Sequence, residues 1–296
     1  MLTHGNPDAR PPERVVMLGA NGFIAQNLAQ RLERDGIAFQ AIGSRDIDLS
    51  GKGAHEQLGQ LLAPGDTLVI LSAITPDKGR DISTFMRNMA IGETIFRALG
   101  EQPVAHVVYI SSDAVYPFTD DPVNEDSPAA PTDLYSAMHR AREIMIASST
   151  DAPCAILRPT MVFGPGDTHN SYGPNRFHRQ ATSEARITLG GDGEETRDHI
   201  FVEDVADLIT RVIQHRSHGI LNLVTGNSLA FIDLAKMIKG LITPPPEIAH
   251  TPRPLPITHR HFDAGAIRAA FPDFKVTPME DALARTIAGK TTDPQG

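Results

Sequence analysis

The chain has 296 residues, 41% of them hydrophobic and 21% charged, with a formal net charge of −9. This length suits one elaborated α/β domain, or a nucleotide-binding domain with a smaller partner, and the acidic balance disfavours nucleic-acid binding, which usually needs a basic surplus or stripe. A single cysteine, Cys154, excludes an internal disulfide framework, and no metal-ligand pattern or membrane-spanning apolar run is readable, so we expect a cytoplasmic protein without a metal site or a membrane partner.

The first half of the chain alternates apolar, strand-like runs with amphipathic stretches. Short buried runs predict strands, and apolar residues at helical spacing predict helices. In chain order the predicted elements are strand 14–20, helix 24–36, strands 38–44 and 66–73, helix 82–99, strand 105–112, helix 134–148 and strand 154–164. This alternation predicts an α/β fold with a doubly wound parallel sheet that helices cover on both faces.

After about Gly164 the loops become rich in Gly, Pro and Asn, and short strands mix with helices. The predicted elements are strands 187–191, 199–202 and 219–224 and helices 202–214 and 230–241. We interpret residues 14–165 as a nucleotide-binding domain to whose sheet some later elements return, and residues 166–288 as a smaller mixed α/β lobe that binds mainly substrate. Residues 1–13 and 289–296 are predicted to be flexible tails.

A glycine loop follows the first predicted strand. The segment Gly19-Ala20-Asn21-Gly22-Phe23-Ile24-Ala25 lies where this strand turns into a helix. Glycines there allow a tight turn and the close approach of a pyrophosphate to the helix N-terminus, where free N–H groups and the helix dipole favour anions. The spacing is GxxGxxA, and the small Ala25 should preserve close packing between helix and strand. The sequence therefore predicts a dinucleotide site.

Tyr135 and His139 are four residues apart in a predicted helix and should lie on the same face. A tyrosine that exchanges protons near neutral pH needs its phenolate stabilised, because its ordinary pKa is about 10. A histidine supplies that charge only when protonated, and we therefore expect activity that depends on protonated His139 to fall as the pH rises through its pKa. Arg142 is a second candidate cation, which we expect to be a solvated surface residue.

Several motifs in order resemble the extended short-chain dehydrogenase/reductases, the NAD-dependent epimerase/dehydratase group that modifies sugar nucleotides. The resemblance covers residues 14–287 and rests on five segments: MLGANGFIAQNLAQRL, ISSDAVY, YSAMH, LRPTMVFGPGD and GGDGEETRDHIFVEDVADLI. YSAMH stands at the family's YxxxK position with His139 in place of lysine. The resemblance implies a Rossmann sheet, a nicotinamide cofactor, a nucleotide-diphosphate sugar as substrate and a homodimer.

The resemblance also implies roles for individual residues. Tyr135 would move the proton of the sugar hydroxyl or ketone, Ser112 would hydrogen-bond the same oxygen, and His139 would either bind the cofactor ribose or be a degenerate position. Asp113 would be an acid or only a loop cap. The implied cofactor-binding residues are Gly19, Asn21, Gly22, Phe23, Ile24, Ser44, Arg45, Asp48, Leu49, Leu71, Ser72, Ala73, Asn88, Tyr135, His139, Pro159, Met161 and Val162. The implied substrate-binding residues are Ser112, Asn175, Arg176 and Arg197.

The end of the second predicted strand bears on the choice between NAD and NADP. Ser44 and Arg45 suit a 2′-phosphate, whereas Asp46 suits a free ribose hydroxyl. The segment resembles its counterpart in GDP-fucose synthases, which favours NADP, although NAD stays open and Arg45 is alternatively a solvated turn residue.

The leading hypothesis is a nucleotide-sugar reductase or epimerase that makes an activated sugar for surface polysaccharide. Two alternatives stay open. Thr160-Met161 replace the family's usual Asn, which suggests a ketoreductase acting on a non-nucleotide carbonyl. His139 suggests a cofactor-binding sensor or scaffold with little catalysis.

Overall fold

The computed structural model describes residues 2–253 and 256–289. In chain order the elements are β1 (Arg14–Leu18), α1 (Phe23–Arg34), β2 (Phe39–Ile42), α2 (Ala54–Leu61), β3 (Asp66–Ile70), α3 (Ile82–Glu101), β4 (His106–Ile110), a 3₁₀ turn (Asp113–Val115), α4 (Leu134–Ala147), β5 (Cys154–Pro159), β6 (Met161–Phe163), α5 (Pro174–Glu184), β7 (Arg186–Gly190), β8 (Thr196–Phe201), α6 (Val202–Gln214), β9 (Gly219–Leu223), β10 (Ser228–Ala230), α7 (Phe231–Leu241), β11 (Glu247–Thr251), α8 (Gly265–Ala270) and α9 (Met279–Ile287).

The main sheet has six parallel strands in the order β2-β1-β3-β4-β5-β9. In β1 the residues from Val15 to Leu18 are fully buried, because neighbouring strands flank them and helices cover both faces. Val15 lies opposite Phe39 of β2 on one side and Thr67 of β3 on the other. The chain leaves β1 towards β2 in one direction and reaches β3 in the other, so the topological switch point lies between β1 and β3. The predicted doubly wound α/β fold is confirmed.

Two helical layers enclose this sheet. α1 and α6 pack together on one face, and α2, α3 and α4 form the layer on the other. Leu28 and Leu32 of α1 join the core of the first face, while Leu58 of α2 and Ile95 of α3 join the core of the second. These layers place the start of α1 and the start of α4 at the same edge of the sheet, where the parallel strands end.

The smaller lobe has its own core and two small sheets, β10-β8-β6 and β11-β7. Residues 154–164 were predicted as one strand, and this prediction is wrong. β5 ends at Pro159 within the main sheet, and after Thr160 the chain continues as β6 beside β8 of the lobe. The separation occurs at Thr160, whose N–H donates to the Leu223 carbonyl of the main sheet while its side chain bonds the Asp198 carbonyl of the lobe.

One further prediction needs correction. The predicted tail 1–13 is held near its start, because Thr3 exchanges two backbone hydrogen bonds with His218 and His4 bonds Ser217, whereas residues 7–11 are exposed. The structure also contains α2 and the two short helices α8 and α9, which the sequence analysis did not predict. The predicted tail 289–296 lies outside the described residues apart from Gly289. Within the described part of the chain no helix is long and apolar enough to cross a membrane.

Candidate active site

The glycine loop lies at the switch point of the sheet. Gly19 has a φ of +102°, and a Cβ there would lie 3.0 Å from the Ser72 nitrogen at the end of β3. Only glycine therefore allows the two strand ends to approach so closely. α1 begins after Gly22 without a side-chain cap, which leaves its first N–H groups directed at the loop. Ala25 is buried against this turn, as expected from its small side chain.

The other residues assigned to this cofactor region divide by exposure. Asn21 is exposed, and its side-chain amide lies so close to Gly43 that a Cβ at this glycine would be only 3.2 Å from the amide nitrogen. Phe23 is a core residue. Ile24 and Leu71 are partly buried and pack against the core. Leu49 and Ala73 are partly buried. The Ser72 hydroxyl is buried without a partner among the described residues.

In the turn after β2, the neighbouring side chains of Arg45 and Asp46 have different environments. The Asp46 carboxylate accepts the Gly43 N–H at 2.8 Å and so closes the turn. Ser44 and Arg45 are exposed, and no contact holds the Arg45 guanidinium within the described residues. Asp48 is also exposed, and its carboxylate accepts both the N–H and the hydroxyl of Ser50.

Ser112 and Tyr135 come together although β4 and α4 bring them from separate segments. Ser112 follows β4 and caps the 3₁₀ turn by accepting the Ala114 N–H at 3.1 Å. Tyr135 lies in the first turn of α4, which a capping box of Asp133 and Ser136 fixes. Burial and the nearby Asp113 raise the pKa of Tyr135, and a hydrogen bond with Ser112 and the charge of Arg142 oppose that rise. Tyr135 is therefore a protonated phenol in this arrangement.

His139 lies beneath Tyr135, with their ring centroids 4.7 Å apart and nearly perpendicular. Its Nδ1 is 2.8 Å from the Tyr109 hydroxyl, and its buried Nε2 has no partner among the described residues. Burial and the charge of Arg142 lower the pKa of His139 to about 3. The imidazole is therefore neutral near neutral pH, which argues against the hypothesis that activity depends on a protonated His139.

Arg142 is fully buried, and the expectation of a solvated surface arginine is wrong. It lies on the same face of α4 as Tyr135 and His139, and this face packs on α3 and β4. The guanidinium donates to the Ser72 carbonyl at 2.8 Å and to the Asn88 carbonyl at 2.5 Å. The Asn88 amide in turn exchanges two hydrogen bonds with the Ile74 backbone, so Asn88 shapes the loop after β3 rather than offering a free amide.

Asp113 forms a polar cluster beside Tyr135 that the sequence did not indicate. The Arg260 guanidinium donates to the Asp113 carbonyl at 2.9 Å and to its carboxylate at 3.2 Å. The Thr160 hydroxyl lies 3.5 Å from the same carboxylate. Burial raises the pKa of Asp113, and Arg260 opposes that rise. Arg260 was missed because its segment, residues 253–261, carries no recognisable motif.

The two predicted substrate arginines lie on one aromatic group. Arg197 is 4.9 Å from the Phe118 ring centroid and 6.0 Å from that of Phe231, and Thr258 accepts from it through both its carbonyl and its hydroxyl. The exposed Arg176 lies 5.5 Å from the Tyr172 ring, which stacks edge-on against Phe231. The arginines do not touch, but they line the same side of the lobe.

Asn175 and Met161 line a cavity of about 70 Å³ together with Val162 and His199. Asn175 lies at the predicted helix start, where α5 begins at Pro174. Pro159 is buried at the end of β5, one residue before the chain enters the lobe. Both ring nitrogens of His199 are buried without partners among the described residues, and burial lowers its pKa to about 4.

The donor set around the loop fits a dinucleotide. The glycine approach at Gly19 leaves no room for a Cβ, and the N-terminus of α1 offers N–H groups for a pyrophosphate. Two buried polar atoms without partners among the described residues, Ser72 Oγ and His139 Nε2, are suited to bonding a ligand.

Comparison with known proteins identifies the family and the fold of the chain. The sequence profile of the NAD dependent epimerase/dehydratase family matches residues 15–223. The UDP-glucose 4-epimerase of Mycolicibacterium smegmatis is 27% identical over 275 residues, which cover 81% of this chain and 86% of the relative. The structure of the Thermus thermophilus UDP-glucose 4-epimerase in complex with NAD has a TM-score of 0.81 at 19% identity, covering 93% of this chain and 98% of that one. The GDP-L-fucose synthetase of Naegleria fowleri bound to NADP has a TM-score of 0.81 at 17% identity, covering 98% and 97%.

Proposed function

The chain belongs to the NAD-dependent epimerase/dehydratase family of extended short-chain enzymes, and we propose that it is an NADP-preferring reductase or epimerase of a nucleotide-linked sugar. The observation that carries this proposal is the position of Ser112, at the start of the 3₁₀ turn after β4, next to the first turn of α4 that bears Tyr135. If the substrate is a nucleotide-linked sugar, the product is an activated sugar, which we propose is used in glycan biosynthesis.

The pair Ser112 and Tyr135 is suited to proton exchange with a sugar oxygen. The phenol of Tyr135 is protonated, because burial raises its pKa, and it can donate to a ketone oxygen. The Ser112 hydroxyl can hydrogen-bond the same oxygen and hold it beside Tyr135. A nicotinamide cofactor at the glycine loop would supply or accept the hydride at the sugar carbon.

The cofactor preference rests on the turn after β2. Asp46 uses its Oδ2 to close that turn, which fixes the orientation of its carboxylate and leaves Arg45 as the neighbour that no contact holds among the described residues. Arg45 is exposed beside it and could form paired hydrogen bonds to a 2′-phosphate. Gly19, Gly22 and the start of α1 would hold the pyrophosphate.

The substrate proposal rests on charge. In a chain of net charge −9, Arg197 and Arg176 give the lobe the local positive charge that a nucleotide diphosphate requires. Asn175 adds an amide at the start of α5. The homodimer proposal rests on the exposed apolar side chains Met86 of α3 and Ile144 of α4, two helices that pack on each other.

The test is turnover of a panel of UDP-, GDP- and dTDP-linked sugars and 4-keto sugars, with NADPH or NADH, followed by NMR of the product. We expect at least one nucleotide sugar to be converted, with Tyr135→Phe inactive although it still binds NADPH. Conversion of simple ketones alone would support the non-nucleotide ketoreductase. NADPH binding without any conversion would contradict the enzyme proposal.

A further inference from the structure

Arg142 is a buried cation without a buried anion. Its side chain is fully enclosed between α3, α4 and β4, and none of the described carboxylates forms a salt bridge with it. Room for the guanidinium comes from Gly92 of α3, where a Cβ would lie 3.0 Å from the Arg142 Nε. Because a buried charge is costly unless it is compensated, a cation retained there calls for a role.

The carboxylate nearest in sequence is already neutralised. Glu143 is buried, and it pairs with Arg158 of β5 at 2.7 Å and with Arg140 at 3.1 Å. It also accepts the Ser111 hydroxyl at 2.7 Å. The positive charge of Arg142 is therefore directed to the two tyrosines that it faces, Tyr109 and Tyr135.

The Tyr109 hydroxyl determines which nitrogen of His139 carries the proton. Arg142 donates to the Ser72 and Asn88 carbonyls, and among the described residues the buried Tyr109 hydroxyl has His139 Nδ1 as its hydrogen-bond partner. The Tyr109 proton therefore points to His139 Nδ1 at 2.8 Å, because it has no other acceptor among the described residues. This leaves the proton of the neutral imidazole on Nε2, the buried atom that has no partner among the described residues.

The charged groups that act on Tyr135 come from two elements, the 3₁₀ turn and α4. Asp113 of the 3₁₀ turn and Asp133 at the start of α4 oppose ionisation of Tyr135, whereas Arg142 favours it. From β4, Tyr109 contributes a neutral hydroxyl. α3 contributes the Asn88 carbonyl and Gly92, neither of which is charged. His139 contributes no charge, because burial keeps it neutral.

We propose that Arg142 is a positioning residue that supplies the positive charge otherwise provided by the lysine of a YxxxK pair, while neutral His139 keeps only its hydrogen-bonding part as an Nε2–H donor. The two tasks of one lysine are thus divided between two residues of α4. This inference rests on the proposed function, in which Tyr135 handles the proton of a sugar oxygen. Arg142 and Tyr135 are seven residues apart, about 10 Å along the helix, and at an effective dielectric of about 20 that separation corresponds to roughly one pKa unit.

The test is a titration of Tyr135 that needs neither cofactor nor turnover. The chain has four tyrosines and no tryptophan. Replacing tyrosine throughout by a fluorinated tyrosine, which ionises at lower pH, gives four fluorine NMR resonances, and Tyr135→Phe identifies that of Tyr135. We expect Arg142→Met to raise the midpoint of this resonance by about one pH unit. Arg140→Met is the matched control, because Arg140 is a partly exposed arginine of the same helix, and it should leave the midpoint unchanged.

A second pair of variants separates charge from packing. His139→Lys in the Arg142→Met background restores a cation but not the contacts with the Ser72 and Asn88 carbonyls, and we expect the midpoint to return towards that of the wild type. If Arg142→Met does not fold, Arg142→Gln gives the same comparison, because its amide can still donate to one carbonyl. An unchanged midpoint in the neutral variant, or no return with His139→Lys, would overturn the proposal. Since the titration involves no substrate, either result is distinct from a failure of the proposed function.

Discussion

Arg45 and Asp46 are neighbours at the end of β2, but the structure gives them different tasks. The carboxylate of Asp46 stabilises the turn, and the side chain of Arg45 extends from it into solvent. The sequence alone could not decide between these residues, since either can contact an adenosine ribose. The contact of Arg45 with the cofactor is part of our proposal, and the hydrogen bond between Asp46 and Gly43 motivates its test.

We therefore expect Arg45→Met to weaken the binding of NADPH by about tenfold to a hundredfold, because a hydrogen bond to a charged group contributes about 1.5–3 kcal/mol. Binding of NADH should be almost unchanged. The measurement is fluorescence titration of each cofactor, with Arg97→Met, another exposed arginine, as the control. Equal losses for both cofactors would show that Arg45 does not contact a 2′-phosphate.

The residues of α4 show what the sequence could and could not predict. Positions 135, 139 and 142 share one helical face, which indicated that Tyr135 and His139 are neighbours. The same periodicity placed Arg142 on that face. Because an arginine is seldom fully buried, we expected it to be exposed to solvent, and this prediction was wrong. Burial of Arg142 depends on Gly92 of α3, a contact distant in sequence that periodicity cannot reveal.

Elements of the main sheet were predicted better than those of the lobe. Buried parallel strands read as uninterrupted apolar runs, and β1 to β4 lie within the predicted ranges. In the run 154–164 apolar residues lie on both sides of Arg158-Pro159-Thr160, and this interruption alone does not show that the two halves pair with different sheets. That division depends on the hydrogen bonds of Thr160 to Leu223 and Asp198.

The segment 190–209 illustrates how one motif serves both site and scaffold. Arg197 faces the aromatic group of the lobe, whereas the buried Asp198 accepts the N–H groups of Thr225 and Gly226. Asp204 accepts the N–H and the hydroxyl of Thr277, which ties the start of α6 to the segment before α9. The resemblance located this motif in the sequence. The structure shows that Arg197 faces the aromatic group of the lobe, whereas Asp198 and Asp204 hold the backbone of neighbouring segments.

Three buried histidines in different parts of the molecule share one electrostatic property. Burial lowers the pKa of His106 and of His199 to about 4 and that of His139 to about 3. In the unfolded chain these side chains take up protons below about pH 6.5, whereas in the folded protein they stay neutral until about pH 4. The unfolded state therefore binds more protons in this window, and the free energy of unfolding should decrease as the pH falls through it.

For His199 alone, the free energy of unfolding should decrease by about 1 kcal/mol for each pH unit below 6.5. His199→Phe removes two buried nitrogens that have no partners among the described residues, next to a cavity that gives the larger ring room. We expect urea unfolding between pH 7 and 5 to show a shallower decrease of stability for His199→Phe than for the wild type. His250→Phe, at a half-exposed position, is the control, and parallel curves for His199→Phe and the wild type would contradict the assignment of a neutral buried histidine.

The central claim, that Tyr135 and Ser112 support hydride exchange at a sugar carbon, is tested most directly by isotope transfer. NADPH deuterated at the transferable position of the nicotinamide is incubated with the protein and each 4-keto nucleotide sugar, and the products are analysed by mass spectrometry and NMR. We expect deuterium at the former carbonyl carbon of one sugar with the wild type and a loss of transfer of at least about a hundredfold with Tyr135→Phe. Deuterium that stays on the cofactor with every nucleotide sugar, or transfer that persists undiminished in Tyr135→Phe, would contradict the account.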